Sequence, residues 1–476
     1  MSTSTSKPTS PPEDDLVDAI RPIRQAHPSL GAAKLLELLL QSHGDWAVSE
    51  KRLRKVLQKT GLITLANSSH HESVSRTPAI GDVGPPHNEG DVQSAPTINS
   101  DGTEQEFPSW SLNAQMDPTK WTKTVDVKVI SDQKGKGLVA RGPINSGEHI
   151  WVEDPFVFSP EWELEKLQLS GHACAYCTKP VASSTMQPAY CTRSCGSAFC
   201  NRLCSARGAS VHAFLCPIQN PACIPFVQHV RAQKWKAPLA WARVTALLLS
   251  LAAKASDPSS SASKDLGNAL SIVRGLAALS LERRVKVLPG WQASYDDSCA
   301  MWRKTHTLFV QALSIPPDPK HLKALQKLRG NASKYTGIKR LEAELFTWDG
   351  FMVGLGKMGL NMEAYGGIYA LHSHVNHSCD PNISVRHITA NQVSRITIIS
   401  RRDITNGEEL TATYVNPSGD LWTRRRELKE WGFGNCMCDR CRTEEEEARR
   451  RGDFESEGSA AKKAELEDEL RDFLRI

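Results

Sequence analysis

Val375-Asn376-His377-Ser378-Cys379-Asp380-Pro381-Asn382 is the stretch on which the reading of this chain turns. An amide, an imidazole and a thiol fall within four consecutive residues, so one short segment offers hydrogen bonds, a titratable ring and a metal ligand. Alone the pattern is ordinary, because Asn-His pairs occur in polar loops and a single cysteine is usually buried. Two segments nearer the C-terminus change that. Gly407-Glu408-Glu409-Leu410-Thr411-Ala412-Thr413-Tyr414 reads as a turn and then an alternating strand ending in a tyrosine. Next comes Cys436-Met437-Cys438-Asp439-Arg440-Cys441, three thiols in CxCxxC spacing.

At 476 residues the chain exceeds one compact core, and two or three folded units are expected. The N-terminus is rich in Ser, Thr and Pro and has no apolar run of the secretory kind. The most apolar run, Leu239 to Ala253, contains Arg243 and falls short of the roughly 20 residues a membrane span needs. A soluble intracellular protein with no membrane partner is the expectation, and there the 13 cysteines are better explained by metal than by disulfides.

In chain order, residues 1–13 read as a disordered leader and 14–63 as a small helical module. In that module Leu35, Leu36, Leu39 and Leu40 form an apolar stripe, and Ser49 caps a helix carrying Leu53, Val56 and Leu57 inward. Lys51, Lys55 and Lys59 recur on one face of this last helix, a solvated face that also suits weak contact with a DNA phosphate backbone. Residues 64–120 are too poor in large apolar side chains to fold and read as a linker. Alternation resumes at Thr124–Ile130, succeeded by a Gly135-Lys136-Gly137 turn and a second strand ending near Trp151. Glycine there lets backbone approach a ligand closely.

A cysteine block comes next: Cys174, Cys177, Cys191, Cys195, Cys200, Cys204, His212 and Cys216. Eight thiolate or imidazole donors in four close pairs are what two closed tetrahedral zinc sites require. Apolar repeats at Leu239–Leu251, Leu266–Leu279 and Met301–Leu313 read as scaffold helices, with Cys223 and Cys299 as ordinary thiols. Residues 443–476 carry opposite charges near i, i+4 spacing and read as a solvated helix.

NHSC, then GEEL with its tyrosine, then CxCxxC, in that order, resembles the SET-domain protein lysine methyltransferases. The cysteine block is similar to the MYND-type finger of the SET-MYND group, and the whole order, with the N-terminal module, resembles the fungal Set-five histone methyltransferases. The resemblance implies an α+β fold: a β-rich SET core with an inserted MYND-type zinc finger, helical surroundings, a post-SET zinc clamp and the small N-terminal helical module. The implied boundaries are 121–416 for the SET domain, with the finger at 174–216 and a helical insert at about 217–350, and 417–442 for the post-SET segment.

By the same resemblance, Cys174, Cys177, Cys200 and Cys204 hold one zinc ion and Cys191, Cys195, His212 and Cys216 a second. Cys379 joins Cys436, Cys438 and Cys441 on a third, since three cysteines leave a closed site one ligand short. Ser205 and Ala209 depart from the finger's usual Gln and Trp, which elsewhere help form a peptide groove. Lys136, Gly137, Asn376, His377 and Phe433 are implied to bind S-adenosylmethionine. Tyr414 is implied to line the lysine channel as the catalytic residue, itself touching the cofactor. The implied reaction is methyl transfer to a protein lysine, on the histone H4 tail in chromatin, in the nucleus and on the chromosome with the cytoplasm also open. The net charge of +5 permits a nucleosomal partner without demanding one. A catalytically weak chromatin scaffold and a methyltransferase for non-histone proteins are the alternatives. Against the scaffold, Asn376, His377 and Tyr414 are all present.

Overall fold

The computed structural model describes residues 10–26, 32–43, 46–59, 97–98, 104–105, 108–112, 116–131, 134–182, 184, 186–255, 260–286, 292–388 and 392–451. Most of the expected leader and linker, and the C-terminal stretch after residue 451, lie outside them. The chain divides into two compact units, Met1–Asn88 and Glu89–Ile476.

The first unit holds α1 (Glu13–Ala26), α2 (Ala32–Ser42) and α3 (Glu50–Lys59). Leu16, Ile20, Leu35, Leu39, Leu53, Val56 and Leu57 form its core, the stripe that helical periodicity predicts. Ser49 caps α3 by accepting the Arg52 N–H at 3.2 Å. Lys51 and Lys55 are exposed, whereas the Arg52 guanidinium is tied to Ser10 Oγ and the Pro11 carbonyl.

The second unit begins with β1 (Thr97–Ile98) paired to β2 (Glu104–Gln105). After these come β3 (Val125–Ser131), β4 (Gly135–Ala140), β5 (His149–Glu153), β6 (Val157–Phe158) and α4 (Trp162–Leu169). The cysteine block folds as a hairpin of β7 (Ala189–Tyr190) and β8 (Ala198–Phe199) leading into α5 (Arg202–Leu215). Eight helices come next: α6 (Cys223–Ala232), α7 (Lys236–Lys254), α8 (Ser261–Gly275), α9 (Leu281–Lys286), α10 (Gln292–Leu313), α11 (Pro319–Arg329), α12 (Ile338–Phe346) and α13 (Trp348–Asn361). The chain returns to strands with β9 (Gly367–Ile368), β10 (Asn376–His377), β11 (Ile383–Arg386), β12 (Ile396–Ser400) and β13 (Glu409–Ala412), and ends its described part with α14 (Leu421–Glu430) and α15 (Asp439–Arg451).

Two cores result. Val125, Leu138, Ile150, Trp151, Ile383, Ile396, Ile398 and Leu410 pack between the small sheets, and the helices close around Trp302, Phe226, Phe309 and Phe351. The helix α7 is long and apolar enough to cross a membrane by length and composition, yet 67% of its most apolar window is buried inside the fold. Its hydropathy is that of a core helix.

The sheets explain why segments far apart in sequence meet. One four-stranded sheet runs β10-β13-β4-β3, with β10 parallel to β13 and the other pairs antiparallel; another runs β11-β12-β5. The parallel pairing sets Asn376 opposite Thr411 and His377 opposite Ala412.

One local expectation is corrected. Gly135-Lys136-Gly137 is no turn: it lies inside β4, where Gly137 pairs with Lys128. The turn precedes it, and Gly135 leaves that turn at φ +71°, a conformation that favours glycine. A second correction concerns the C-terminus. The charged helix starts at Asp439 and is not solvated all round: Glu444 and Glu445 each lie 2.6 Å from the buried Arg424 and Arg425 of α14, and Cys441 and Ala448 are buried. Repeating charge reports an exposed face only when no buried cation lies opposite it.

Candidate active site and metal centres

The two central motifs interlock through their polar side chains. Asn376 Nδ2 donates to Glu409 Oε1 and to the Lys136 carbonyl, both at 2.9 Å. Asn382, 1% exposed, donates to Glu408 Oε1 at 2.9 Å and the Glu409 carbonyl at 2.8 Å, and accepts the Thr411 N–H at 2.8 Å. Each carboxylate of GEEL therefore holds one asparagine of the NHSCDPN run. Asn382→Ala strips a buried N–H of its acceptor and is expected to destabilise the protein by about 3 kcal/mol, as read by chemical denaturation.

Glu408 also accepts the Thr405 N–H at 3.0 Å and pairs with Arg402 at 2.7 Å. Desolvation pushes its carboxyl up, but the Arg402 guanidinium, the Thr405 N–H and the Asn382 amide outweigh it and hold the group down at about 2, against an ordinary 4.5. A folded-state value below the unfolded one gives stabilisation that is complete above pH 4.5 and is lost as pH falls toward 2. Glu408→Gln should flatten that part of the stability curve, measured by urea denaturation across the acid range.

Tyr414 stands two residues beyond β13. Its O–H donates to the Val375 carbonyl at 2.5 Å and its N–H to His377 Nδ1 at 3.0 Å. The residue keeps 41% of its surface exposed, while the hydroxyl is turned in against buried Val375, and burial, with the Glu409 carboxylate, raises the phenol well above its usual range. The Tyr414 hydroxyl is therefore a neutral donor at neutral pH. Because His377 Nδ1 accepts, its proton sits on Nε2, 3.3 Å from Cys379 Sγ. Burial lowers this imidazole to about 4, so the ring is neutral. Rings of His377 and Phe433 flank Tyr414 at 5.3 and 5.2 Å. Phe433, expected to bind S-adenosylmethionine, packs on the tyrosine.

Lys136 and Gly137 lie beside Asn376, but by different routes. A Cβ on Gly137 would sit 2.5 Å from Ile130 and 3.0 Å from Asn376 Nδ2, so only glycine lets strand and amide close together. The Lys136 side chain is buried and donates to the Gly275 carbonyl, leaving its own carbonyl to Asn376. Burial, reinforced by Lys357, lowers this ammonium to about 7. The end of α8 and the turn after it thus grip β4 and the segment at Ser109: Gly275 takes Lys136, and Ala278 exchanges two backbone hydrogen bonds with Ser109. Trp110, next to that bridge, lies against Gly135.

Reasoning from sequence passed over Glu153, Asn382, Glu408, Glu409 and Trp110. Glu153, 1% exposed, accepts the N–H groups of Leu371 and His372 at 2.8 and 3.0 Å and so fixes the backbone just before Val375. Its signal was a carboxylate at an inward position of an alternating strand. Glu408 and Glu409 were visible in the motif but read only as turn residues.

Twelve predicted metal ligands come together in three groups: Cys174, Cys177, Cys200 and Cys204; Cys191, Cys195, His212 and Cys216; Cys379, Cys436, Cys438 and Cys441. Within each group the ligand atoms lie within 4.8 Å of one another. All the cysteines among them are free thiols. Tetrahedral zinc with sulfur at about 2.3 Å sets sulfurs about 3.8 Å apart. Here Cys177 and Cys200 are 3.5 Å apart, Cys200 and Cys204 3.5 Å, Cys195 Sγ and His212 Nε2 3.5 Å, and Cys379 and Cys441 3.4 Å, so the donor sets fit the ion. Surrounding donors suit thiolates: Asn201 Nδ2 reaches Cys200 at 3.5 Å and Arg424 Nη2 reaches Cys441 at 3.4 Å. Asn201 also caps α5, accepting the Cys204 N–H at 2.8 Å, so the helix start fixes a ligand.

The SET domain family model matches residues 135–415. Among curated proteins, the histone-lysine N-methyltransferase SET5 of Mycosarcoma maydis is 31% identical over 65% of this chain and 66% of its own length. That of Scheffersomyces stipitis is 27% identical over 98% of this chain and 87% of its own. A solved structure, the SET domain of LSMT bound to lysine and AdoHcy, aligns with 66% of this chain and 53% of its own at a TM-score of 0.32 and 13% identity. The family match spans β4 through the residue after Tyr414, the same stretch that the NHSC and GEEL segments knit together, and on it the chain belongs to the SET domain family.

Proposed function

We propose that the protein is a protein-lysine N-methyltransferase that uses S-adenosylmethionine and acts on histones, with the H4 tail as substrate, in chromatin of the nucleus. The observation that carries this reading is the Tyr414 hydroxyl set on the Val375 carbonyl beside Asn376 and His377, in a chain of the SET family. S-adenosylmethionine supplies, when bound, a methyl carbon on a sulfonium, and an uncharged lysine amine displaces the sulfide in line, forming N–C as C–S breaks.

Such a step asks the protein for orientation and a dry, polar-lined channel more than for covalent chemistry. In this proposal Tyr414 orients the amine through its hydroxyl, and Val375 offers a carbonyl to the same spot. Asn376, His377, Gly137, the Lys136 backbone and Phe433 hold the cofactor. No residue acts as general base; solvent takes the ammonium proton before transfer.

We assign zinc to the three ligand groups, the first two as a MYND-type finger at 174–216 and the third as a post-SET clamp at 417–442, with the SET domain at 121–416. The N-terminal helices, with Lys51 and Lys55 exposed, add weak DNA contact. The test is transfer of label from S-adenosylmethionine to core histones and nucleosomes. Label on H4 supports the full reading; label only on other proteins keeps the reaction and replaces the substrate; cofactor bound with no acceptor labelled favours a scaffold.

A further inference from the structure

Between the cysteine block and the helices lies a cavity of about 490 Å³, within the size range of ligand sites. Neither Ser205 nor Ala209, where MYND-type fingers build their peptide groove, lines it. Its lining includes Tyr176, Met186 and Leu203, 37%, 60% and 58% exposed, an apolar lip open to solvent.

Thiols of the first two ligand groups, Cys177, Cys195, Cys200 and Cys204, line it as well, and its carboxylates leave none spare. Two acids line the cavity and both are taken: Asp154 is held by Arg395 through two 2.8 Å bonds, and Glu165 by Arg231 at 3.1 and 3.3 Å. Lys179, Arg207 and Arg243 line it too, and among the described residues none has a carboxylate partner. Arg243 is the telling one. It rises from the middle of α7 with its guanidinium buried, one nitrogen on the Phe158 carbonyl at 2.9 Å and Nε without an acceptor. Burial presses even this guanidinium below its usual range, an effect that the Glu165 carboxylate, already paired with Arg231, offsets only in part. Such a group is costly unless an anion meets it.

We propose that this cavity binds a peptide segment presenting a carboxylate side chain next to an aliphatic one, the carboxylate reaching Arg243 with Arg207 at the mouth and the aliphatic group resting on Met186 and Leu203. The site is separate from Tyr414, and its occupancy does not require methyl transfer.

The test uses the full zinc-loaded chain and a fluorescein-labelled peptide, Gly-Leu-Glu-Leu-Gly, beside its glutamine counterpart, monitored by fluorescence anisotropy. The acidic peptide is expected to bind at least about tenfold tighter than the amide one, since a charged hydrogen bond is at stake. Arg243→Met and Arg207→Ala should each weaken it by about tenfold, with zinc content unchanged. Arg207 is exposed and has no ion pair among the described residues, so its loss does not threaten the fold. Tyr414→Phe should bind like wild type. Equal affinity for the two peptides, no binding of either, or loss of zinc in Arg243→Met with normal binding by Arg207→Ala overturns the proposal; the last would make Arg243 a support of the neighbouring thiolates.

Discussion

Tyr414→Phe is expected to lower methyl transfer by about 100- to 1,000-fold, the range seen when one oriented hydrogen-bonding group is removed from a reacting centre. The substitution deletes a single oxygen. The ring stays between His377 and Phe433, and the backbone N–H still donates to His377, so cofactor affinity, zinc content and thermal midpoint should change little. The folded state loses one hydrogen bond to a carbonyl, about 1 kcal/mol. Single-turnover transfer from labelled S-adenosylmethionine separates the chemical step from binding. A variant that turns over like wild type would remove Tyr414 from the mechanism, and a variant that loses cofactor binding would make it a packing residue.

Legibility in the sequence was governed by distance along the chain. The candidate ligands were legible because metal ligands in closed sites come in short pairs, and CxxC-like spacing survives any arrangement of the rest; their division into groups followed from the family resemblance. The NHSC and GEEL segments were legible as motifs, but not the reason they belong together. That reason is the parallel β10–β13 pair and the two Asn–carboxylate contacts it enables, which no periodicity encodes. Helices were found where their apolar repeats are strong, as in α7 and α10. Their task was not: the carbonyls at the end of α8 that receive Lys136 and Ser109 are backbone groups, which leave no mark in side-chain patterns. Lys136 itself was assigned to a ligand on its position in the glycine motif, and its side chain is instead spent on Gly275. Corrections fall at the Gly135 turn, where backbone geometry decides, and on α15, where the buried Arg424 and Arg425 of α14 meet its acids.

Cys438→Ser should release the ion of the third ligand group alone, so that zinc content falls from three ions per chain to two, and should weaken S-adenosylmethionine binding by more than about tenfold. The path is explicit. Structural zinc contributes about 10 kcal/mol or more to holding its ligands together, and here it would join Cys379, inside the NHSC segment, to cysteines that lie beyond α14. His377 Nε2 donates to Cys379 Sγ, and His377 Nδ1 receives the Tyr414 N–H, so the group that loses its ion lies one hydrogen-bonded ring away from the tyrosine backbone. Arg440 adds a second tie by donating to the carbonyls of Cys379 and Pro417 at 3.2 and 2.7 Å. Releasing the ion removes the anchor on the C-terminal side of Trp431-Gly432-Phe433, leaving the segment to Arg284, 3.9 Å over Trp431, and to the Phe433 N–H on Leu428, and so loosens Phe433 against Tyr414. Cys177→Ser is the control: it should release zinc from the first group and leave cofactor affinity near wild type, because no hydrogen bond among the described residues joins that group to Asn376, His377 or Tyr414. Metal analysis beside calorimetric titration of the cofactor reads both. Equal losses of affinity in the two variants would mean that zinc acts on global stability, and normal affinity in Cys438→Ser would break the link between the clamp and the site.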